Sequence, residues 1–160
     1  REVHDFTLTS HLGDPLSITD LRGKPVLMYF GYTHCPDVCP LTIYDYSKVR
    51  EILGDNADAV NYLFISVDPE RDTPAKLAEY IAARGSGWLQ AMAGDHDTLS
   101  RISADYSLIY EQQTETNSRA GYLVDHTANS FLINADGELV NVFAFGTQPE
   151  AIAETIEKHL

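Results

Sequence analysis

Two apolar runs of strand length, Val26 to Phe30 and Tyr62 to Val67, enclose a stretch from Leu41 to Leu53 whose apolar residues recur at helical spacing. Strand, helix and strand in that order form a βαβ unit, and a crossover of this length makes the two strands parallel. Such a sheet must be covered by helices, which confines the chain to the α/β class. The turn from first strand to helix is where α/β folds present reactive groups. Here it carries Cys35-Pro36-Asp37-Val38-Cys39-Pro40, with the only two cysteines of the sequence.

The flanking segments extend the pattern. Phe6 to Leu8 and Leu16 to Ile18 bracket Gly13-Asp14-Pro15, which reads as an N-terminal β-hairpin. Thr73-Pro74 caps and opens a helix through Ala83. Asp97 is positioned to cap a further helix with Leu99, Ile102 and Tyr106 on one face, and a strand-like stretch from Leu108 to Gln113 follows. Gln112 to Tyr122 is polar and reads as a loop. Ser130 to Ile133 and Leu139 to Phe143 flank Asp136-Gly137, a hairpin signal, and Thr147 with Glu150 has the spacing of a capping box for a last helix carrying Ile152 and Ile156. A parallel βαβ half followed by an antiparallel hairpin and a helix is the thioredoxin-like order: a central mixed sheet flanked by helices, expected as one domain over residues 1–160.

A chain of 160 residues buries a core without disulfide staples, so the cysteines are not needed as scaffolding. Acidic residues number 24 against 11 basic ones, for a net charge of −13. That balance repels phosphate backbones and anionic lipid surfaces, and nucleic acid is excluded as a partner. No window reaches the roughly 18 to 20 consecutive apolar residues that span a bilayer, so the sequence reads as soluble.

Pro40 suits the first position of a helix and disfavours helical geometry at the residue before it, which predicts a helix from Pro40 with Cys39 at its mouth. Free backbone N–H groups and the helix dipole there lower a thiol's pKa. The resulting thiolate serves two chemistries, attack on a disulfide or binding of a soft metal. Dedicated thioredoxin-type oxidoreductases use Cys-x-x-Cys, and the three intervening residues here favour a looser turn that accommodates a metal while still permitting a disulfide. A purely stabilising disulfide is the weaker reading, because so short a loop removes little unfolded-chain entropy.

Three blocks carry a family resemblance: Gly31-Tyr32-Thr33-His34-Cys35-Pro36-Asp37-Val38-Cys39-Pro40, then Ser66-Val67-Asp68-Pro69-Glu70-Arg71-Asp72-Thr73-Pro74, then Val124-Asp125-His126-Thr127. In this order they resemble the signatures of the Sco/SenC family, thioredoxin-like copper-binding proteins that help assemble the dinuclear copper centre of cytochrome c oxidase. The resemblance implies Cys35, Cys39 and His126 as copper ligands. Two thiolates and an imidazole suit Cu(I), with Cu(II) tolerated when another ligand joins, whereas a structural zinc site usually has a fourth protein ligand. The resemblance also implies a partner in the copper-site domain of cytochrome c oxidase subunit II, with another periplasmic copper chaperone as a second partner. It implies export to the bacterial periplasm and a tether to the inner membrane through an N-terminal segment that this chain does not carry; the mitochondrial intermembrane space is the alternative.

Around these blocks the expectations are plainer. Asp68, Arg71 and Asp72 read as turn and cap residues, with orientation of a metal ligand or docking of a partner as the alternative. His34 adjoins Cys35, and neighbouring side chains in such a turn usually diverge. His4, His11, His96 and His159 have no matching partners and read as exposed, and Tyr29, Tyr32, Tyr44 and Tyr46 read as packing residues. The functions in competition are copper delivery without turnover, thiol-disulfide reduction of the acceptor's cysteines by the Cys35 and Cys39 pair, and thiol peroxidase chemistry. The last lacks its usual Thr-x-x-Cys spacing, since Thr33 stands only two positions before Cys35.

Overall fold

The computed structural model of the chain describes residues 1–34, 38–108, 110–113, 123–126 and 128–160, with 38, 39, 110–113 and 123–126 described by their backbone alone. The hairpin of β1 (Thr7–Ser10) and β2 (Pro15–Ser17) is followed by β3 (Val26–Gly31), α1 (Val38–Leu53), β4 (Asn61–Ser66), α2 (Pro74–Ala83), β5 (Leu89–Ala93) and α3 (His96–Tyr106). A two-stranded ribbon of β6 (Tyr110–Gln113) and β7 (Leu123–His126) precedes β8 (Ser130–Ile133), β9 (Leu139–Phe143) and α4 (Pro149–Glu157). Seven strands form one sheet in the order β2-β1-β5-β4-β3-β8-β9. β3, β4 and β5 are parallel, running from Val26 opposite Asn61 to Gly31 opposite Ser66 in the central pair. β8 pairs antiparallel with β3, and β9 with β8. This is a thioredoxin-like fold with an added N-terminal hairpin.

The crossovers β3-α1-β4 and β4-α2-β5 step in the same direction across the sheet, so the right-handed rule puts α1 and α2 on one face. The aromatic contacts agree. Tyr29 meets Tyr46 of α1 edge-on at 5.4 Å and stacks on Phe64 at 5.0 Å, and Phe64 in turn faces Tyr80 of α2 at 6.0 Å. The next residue, Phe30, points to the opposite face, where it meets Tyr106 of α3 at 5.6 Å and Phe131 at 5.8 Å. Both faces of the central strands are thus covered, which is why β3 and β4 are almost wholly apolar: every residue of β3 is buried.

Several local expectations need correction. Of the apolar positions expected at helical spacing in α1 (Leu41, Tyr44, Val49, Ile52 and Leu53), Val49 and Leu53 are buried, together with Ile43 and Tyr46, while Leu41, Tyr44 and Ile52 face outward at 52%, 50% and 44% exposure. β5 lies in a stretch with no expected strand, because Gln90 and two alanines give Leu89–Ala93 weak β propensity. It forms through pairing with β4 and β1. The last helix lacks the Thr147–Glu150 capping box: its N-cap is Gln148, and the Thr147 hydroxyl donates to the Ala144 carbonyl at 2.7 Å. The β8–β9 hairpin does turn at Gly137, whose φ of 91° suits glycine.

The cap of α3 is Asp95, two residues earlier than the sequence suggested. Its side chain accepts from the Thr98 N–H at 2.9 Å and the Thr98 hydroxyl at 2.7 Å. The backbone bond from Thr98 holds this carboxyl below its ordinary value of 3.8. A carboxyl depressed on folding contributes stability that is present above its unfolded value and is lost as pH falls through the folded one. Asp95→Ala is expected to cost about 1 kcal/mol at neutral pH, and the difference from the parent should shrink on acidification below that value of 3.8. Asp95→Asn, an equally good cap, should stay near the parent at neutral pH. Urea unfolding at several pH values reads this, and a deficit in Asp95→Ala that ignores pH would rule it out.

Candidate metal centre

β3 and β4 end side by side at Gly31 and Ser66, and the chain leaving both is tied at once. The Val67 N–H donates to the Gly31 carbonyl at 2.8 Å, and the Asp68 carbonyl accepts from the N–H groups of Arg71 at 3.2 Å and Asp72 at 2.9 Å. Thr73 then caps α2, accepting from the Lys76 N–H at 3.3 Å, with Pro74 in the first turn. The Asp-Pro-x-Arg-Asp-Thr-Pro block is therefore a closed turn leading into a capped helix, as its residue types suggested.

Asp72 is fully buried, yet its carboxylate is supplied with donors from both strand ends. The Ser66 hydroxyl donates to it at 2.7 Å and the Thr33 N–H at 3.0 Å, and the Thr33 hydroxyl makes a further short bond. Asp68, 1% exposed, pairs with Arg71, whose Nε donates to Oδ2 at 2.6 Å; the Arg71 guanidinium also lies over the Tyr32 ring at 5.8 Å. His34, half-buried, turns toward this group: its Nδ1 is 3.3 Å from the Thr33 hydroxyl, and His34, Asp68 and Asp72 bring potential ligand atoms within 4.8 Å of one another. Three donors on Asp72 and a guanidinium on Asp68 compensate the carboxylates, so the arrangement is a hydrogen-bonded brace. His34 joins the brace; its expected divergence from Cys35 falls on a residue outside those described. Thr33 and Ser66 supply all three donors to Asp72 and were given no site role in the sequence reading, although Ser66 ends β4 and Thr33 stands just beyond β3, each within a block already singled out.

The remaining site residues are placed in part. α1 begins at Val38, not at Pro40, so Cys39 lies within its first turn instead of ahead of it. Proline is tolerated there because the first four N–H groups of a helix have no acceptor inside it. Cys35 lies outside the described residues. His126 was expected in a loop; its backbone closes β7, opposite Tyr110 in the ribbon with β6. From there the chain enters β8 at Ser130, which sits opposite Tyr29. Because β8 runs antiparallel to β3, its start lies at the end of β3 from which the cysteine turn departs.

Two further expectations are settled nearby. Tyr46 is 1% exposed and donates to the Ser130 hydroxyl at 2.7 Å, tying α1 to the start of β8; burial pushes its phenol up. Of the outlying histidines, His4 and His96 are exposed as expected yet have partners: His4 pairs with Asp105 at 2.9 Å and His96 with Glu70 at 2.7 Å, the latter bond holding the Glu70 carboxyl below its ordinary value. His11 is half-buried and accepts from the Ala91 N–H at 3.2 Å, and His159 is half-buried as well.

With this geometry in place, comparison with known proteins is decisive. The SCO1/SenC family model matches residues 1–160. The chain belongs to the SCO1/SenC family. Among its relatives, the mitochondrial SCO2 homolog of Mus musculus is 35% identical over 158 residues, covering 98% of this chain and 61% of that protein. The chain therefore spans about three-fifths of the length of that relative. Bradyrhizobium japonicum ScoI, solved with copper bound, is 37% identical with a TM-score of 0.85, and the match covers 100% of both chains. Arabidopsis thaliana ScoI, also with copper bound, is 28% identical with a TM-score of 0.88 over 99% of this chain and 98% of that one.

Proposed function

We propose that this protein is a copper-binding metallochaperone that assists assembly of the dinuclear copper centre of cytochrome c oxidase. Cys35, Cys39 and His126 hold one copper ion, which passes to an acceptor by ligand exchange. The observation that carries this reading is the full-length match, at 37% identity, to a family member solved with copper. The donor chemistry fits: two thiolates and an imidazole are a soft set for Cu(I) that also serves Cu(II) with an added ligand. The position of Cys39 in the first turn of α1 favours the thiolate that such binding requires.

The acceptor in this reading is the copper-site domain of cytochrome c oxidase subunit II, with another copper chaperone as donor. A dithiol of this kind works outside a reducing cytosol. The periplasm, with a membrane tether, is the proposed location, and the intermembrane space is its mitochondrial counterpart, in keeping with the mitochondrial relatives. Among the described residues, no helix is long and apolar enough to cross a membrane. The same backbone position of Cys39 at the start of α1 supports a second activity, reduction of the acceptor's cysteines by the Cys35 and Cys39 pair.

Anaerobic titration of the reduced protein with Cu(I) is expected to end at one ion per chain. His126→Ala should weaken Cu(II) binding far more than Cu(I), because imidazole is the better-matched ligand for the oxidised ion and the two thiolates remain. Parent-like spectra and affinities in both copper states would remove His126 from the site. Copper transfer lost while dithiol reduction persists would identify delivery as the main activity.

A further inference from the structure

We infer that Asp72 is a positioning residue for the metal centre, acting through Thr33 on the turn that carries Cys35. This rests on Cys35 being a ligand, as proposed above, and it assigns a task to a buried charge that the fold alone does not require. A carboxylate with no exposure is costly unless each oxygen is compensated. Asp72 meets that demand with the N–H and hydroxyl of Thr33 and the hydroxyl of Ser66. Bonds to an ionised acceptor are about twice as strong as neutral ones. Two of the three come from the residue that stands two positions before Cys35.

The other side of the brace is rigid. Asp72 has its own N–H on the Asp68 carbonyl at 2.9 Å and immediately precedes the cap residue Thr73. Ser66, the last residue of β4, also accepts from the Asp68 N–H at 3.1 Å while donating to Asp72. The carboxylate thus fixes the exit from β3 to the exit from β4 and to the start of α2. An anchor at Thr33, two residues before Cys35, limits how much order has to be created when the turn binds metal. Outer partners of metal ligands typically change affinity by about 10- to 100-fold when removed, which is the scale expected here.

The test compares Asp72→Ala, Thr33→Val and Thr33→Ser with the parent in three measurements: thermal unfolding of the reduced apoprotein, Cu(I) affinity against a competing chelator, and the thiolate-to-Cu(II) absorption band. Asp72→Ala is expected to lower Cu(I) affinity toward the upper end of that range of about 10- to 100-fold and to shift the band. Thr33→Val, which deletes only the hydroxyl bond, should cause a smaller loss with the same direction of spectral shift, and Thr33→Ser should restore parent behaviour. A merely structural role would lower the melting temperature and leave the affinity and band of the folded protein unchanged; that result overturns the inference. Should Asp72→Ala fail to fold, Thr33→Val decides alone, and unchanged binding in it is the overturning result. Cys35→Ser separates the two levels of argument. Parent-like copper binding in Cys35→Ser defeats the ligand assignment itself. Lost binding there, with Asp72→Ala and Thr33→Val unchanged, defeats only the positioning role.

Discussion

Cys35→Ser and Cys39→Ser are each expected to abolish tight copper retention while leaving a folded protein. A serine hydroxyl does not ionise at neutral pH and is a hard donor, so either change removes a soft anionic ligand from the proposed three-ligand set. The loss should exceed the range of about 10- to 100-fold typical of an outer partner. Folding should persist because the apolar core includes Leu27, Leu63, Ile65 and Leu132, all at 0% exposure, and needs no cross-link. Metal analysis after desalting, together with chelator competition, reads the result. A serine variant that keeps parent affinity would take that residue out of the proposed site.

Gly94→Ala is expected to be among the most destabilising single changes in the chain. A Cβ at this position would stand 2.0 Å from the Ser66 carbonyl oxygen and 3.1 Å from Leu99 Cδ1. The φ of Gly94 lies outside the left-handed region, so the obstacle is space and not backbone conformation. The nearer atom belongs to the backbone at the end of β4, where Ser66 is paired with Gly31 and hydrogen-bonded to Asp72; it cannot swing aside as a flexible side chain would. Overpacking of this kind costs about 3 kcal/mol or more, and at about 2 to 4 °C per kcal/mol for a chain of this size the melting temperature should fall by roughly 6 to 12 °C. A loss within about 0.5 kcal/mol in urea unfolding would show that the strand end yields easily. Copper affinity should fall as well, because displacing Ser66 disturbs a donor to Asp72.

The parts of the fold that the sequence disclosed are those where one physical demand dominates. Val26 to Phe30 and Tyr62 to Val67 are buried on both faces, so continuous apolar runs announce them, and Thr73-Pro74 is a cap with a single sensible reading. β5 has no such signature, since Gln90 and the alanines around it become a strand only because β4 and β1 offer edges to pair with. The apolar positions of α1 were legible only in part: Val49 and Leu53 are buried, whereas Leu41, Tyr44 and Ile52 are apolar yet exposed, and composition cannot tell such residues from the stripe beside them. Asp97 and Asp95 are both plausible caps for α3, and only the bonds to Thr98 choose between them. At the site, the cysteine pair is conspicuous from its rarity and setting. The brace of Thr33, Ser66 and Asp72 is not, because its members come from two separate strand ends and each has an ordinary local reading.

β3 occupies the middle of the sheet between a neighbour from the same βαβ unit and one from the far end of the chain, Val26 lying opposite Asn61 on one edge and Ile133 on the other. During synthesis the first edge is satisfied early, whereas the second must wait until β8 has emerged. Closing so long a loop is entropically slow, and an apolar strand with unpaired N–H and C=O groups invites pairing with another chain. The nascent protein therefore passes through an interval in which its cysteine-bearing half is assembled with one open seam, and a chain truncated before Ser130 would retain that seam permanently. Aggregation should accordingly rise sharply in C-terminal truncations that remove β8, and much less in those that remove α4 alone.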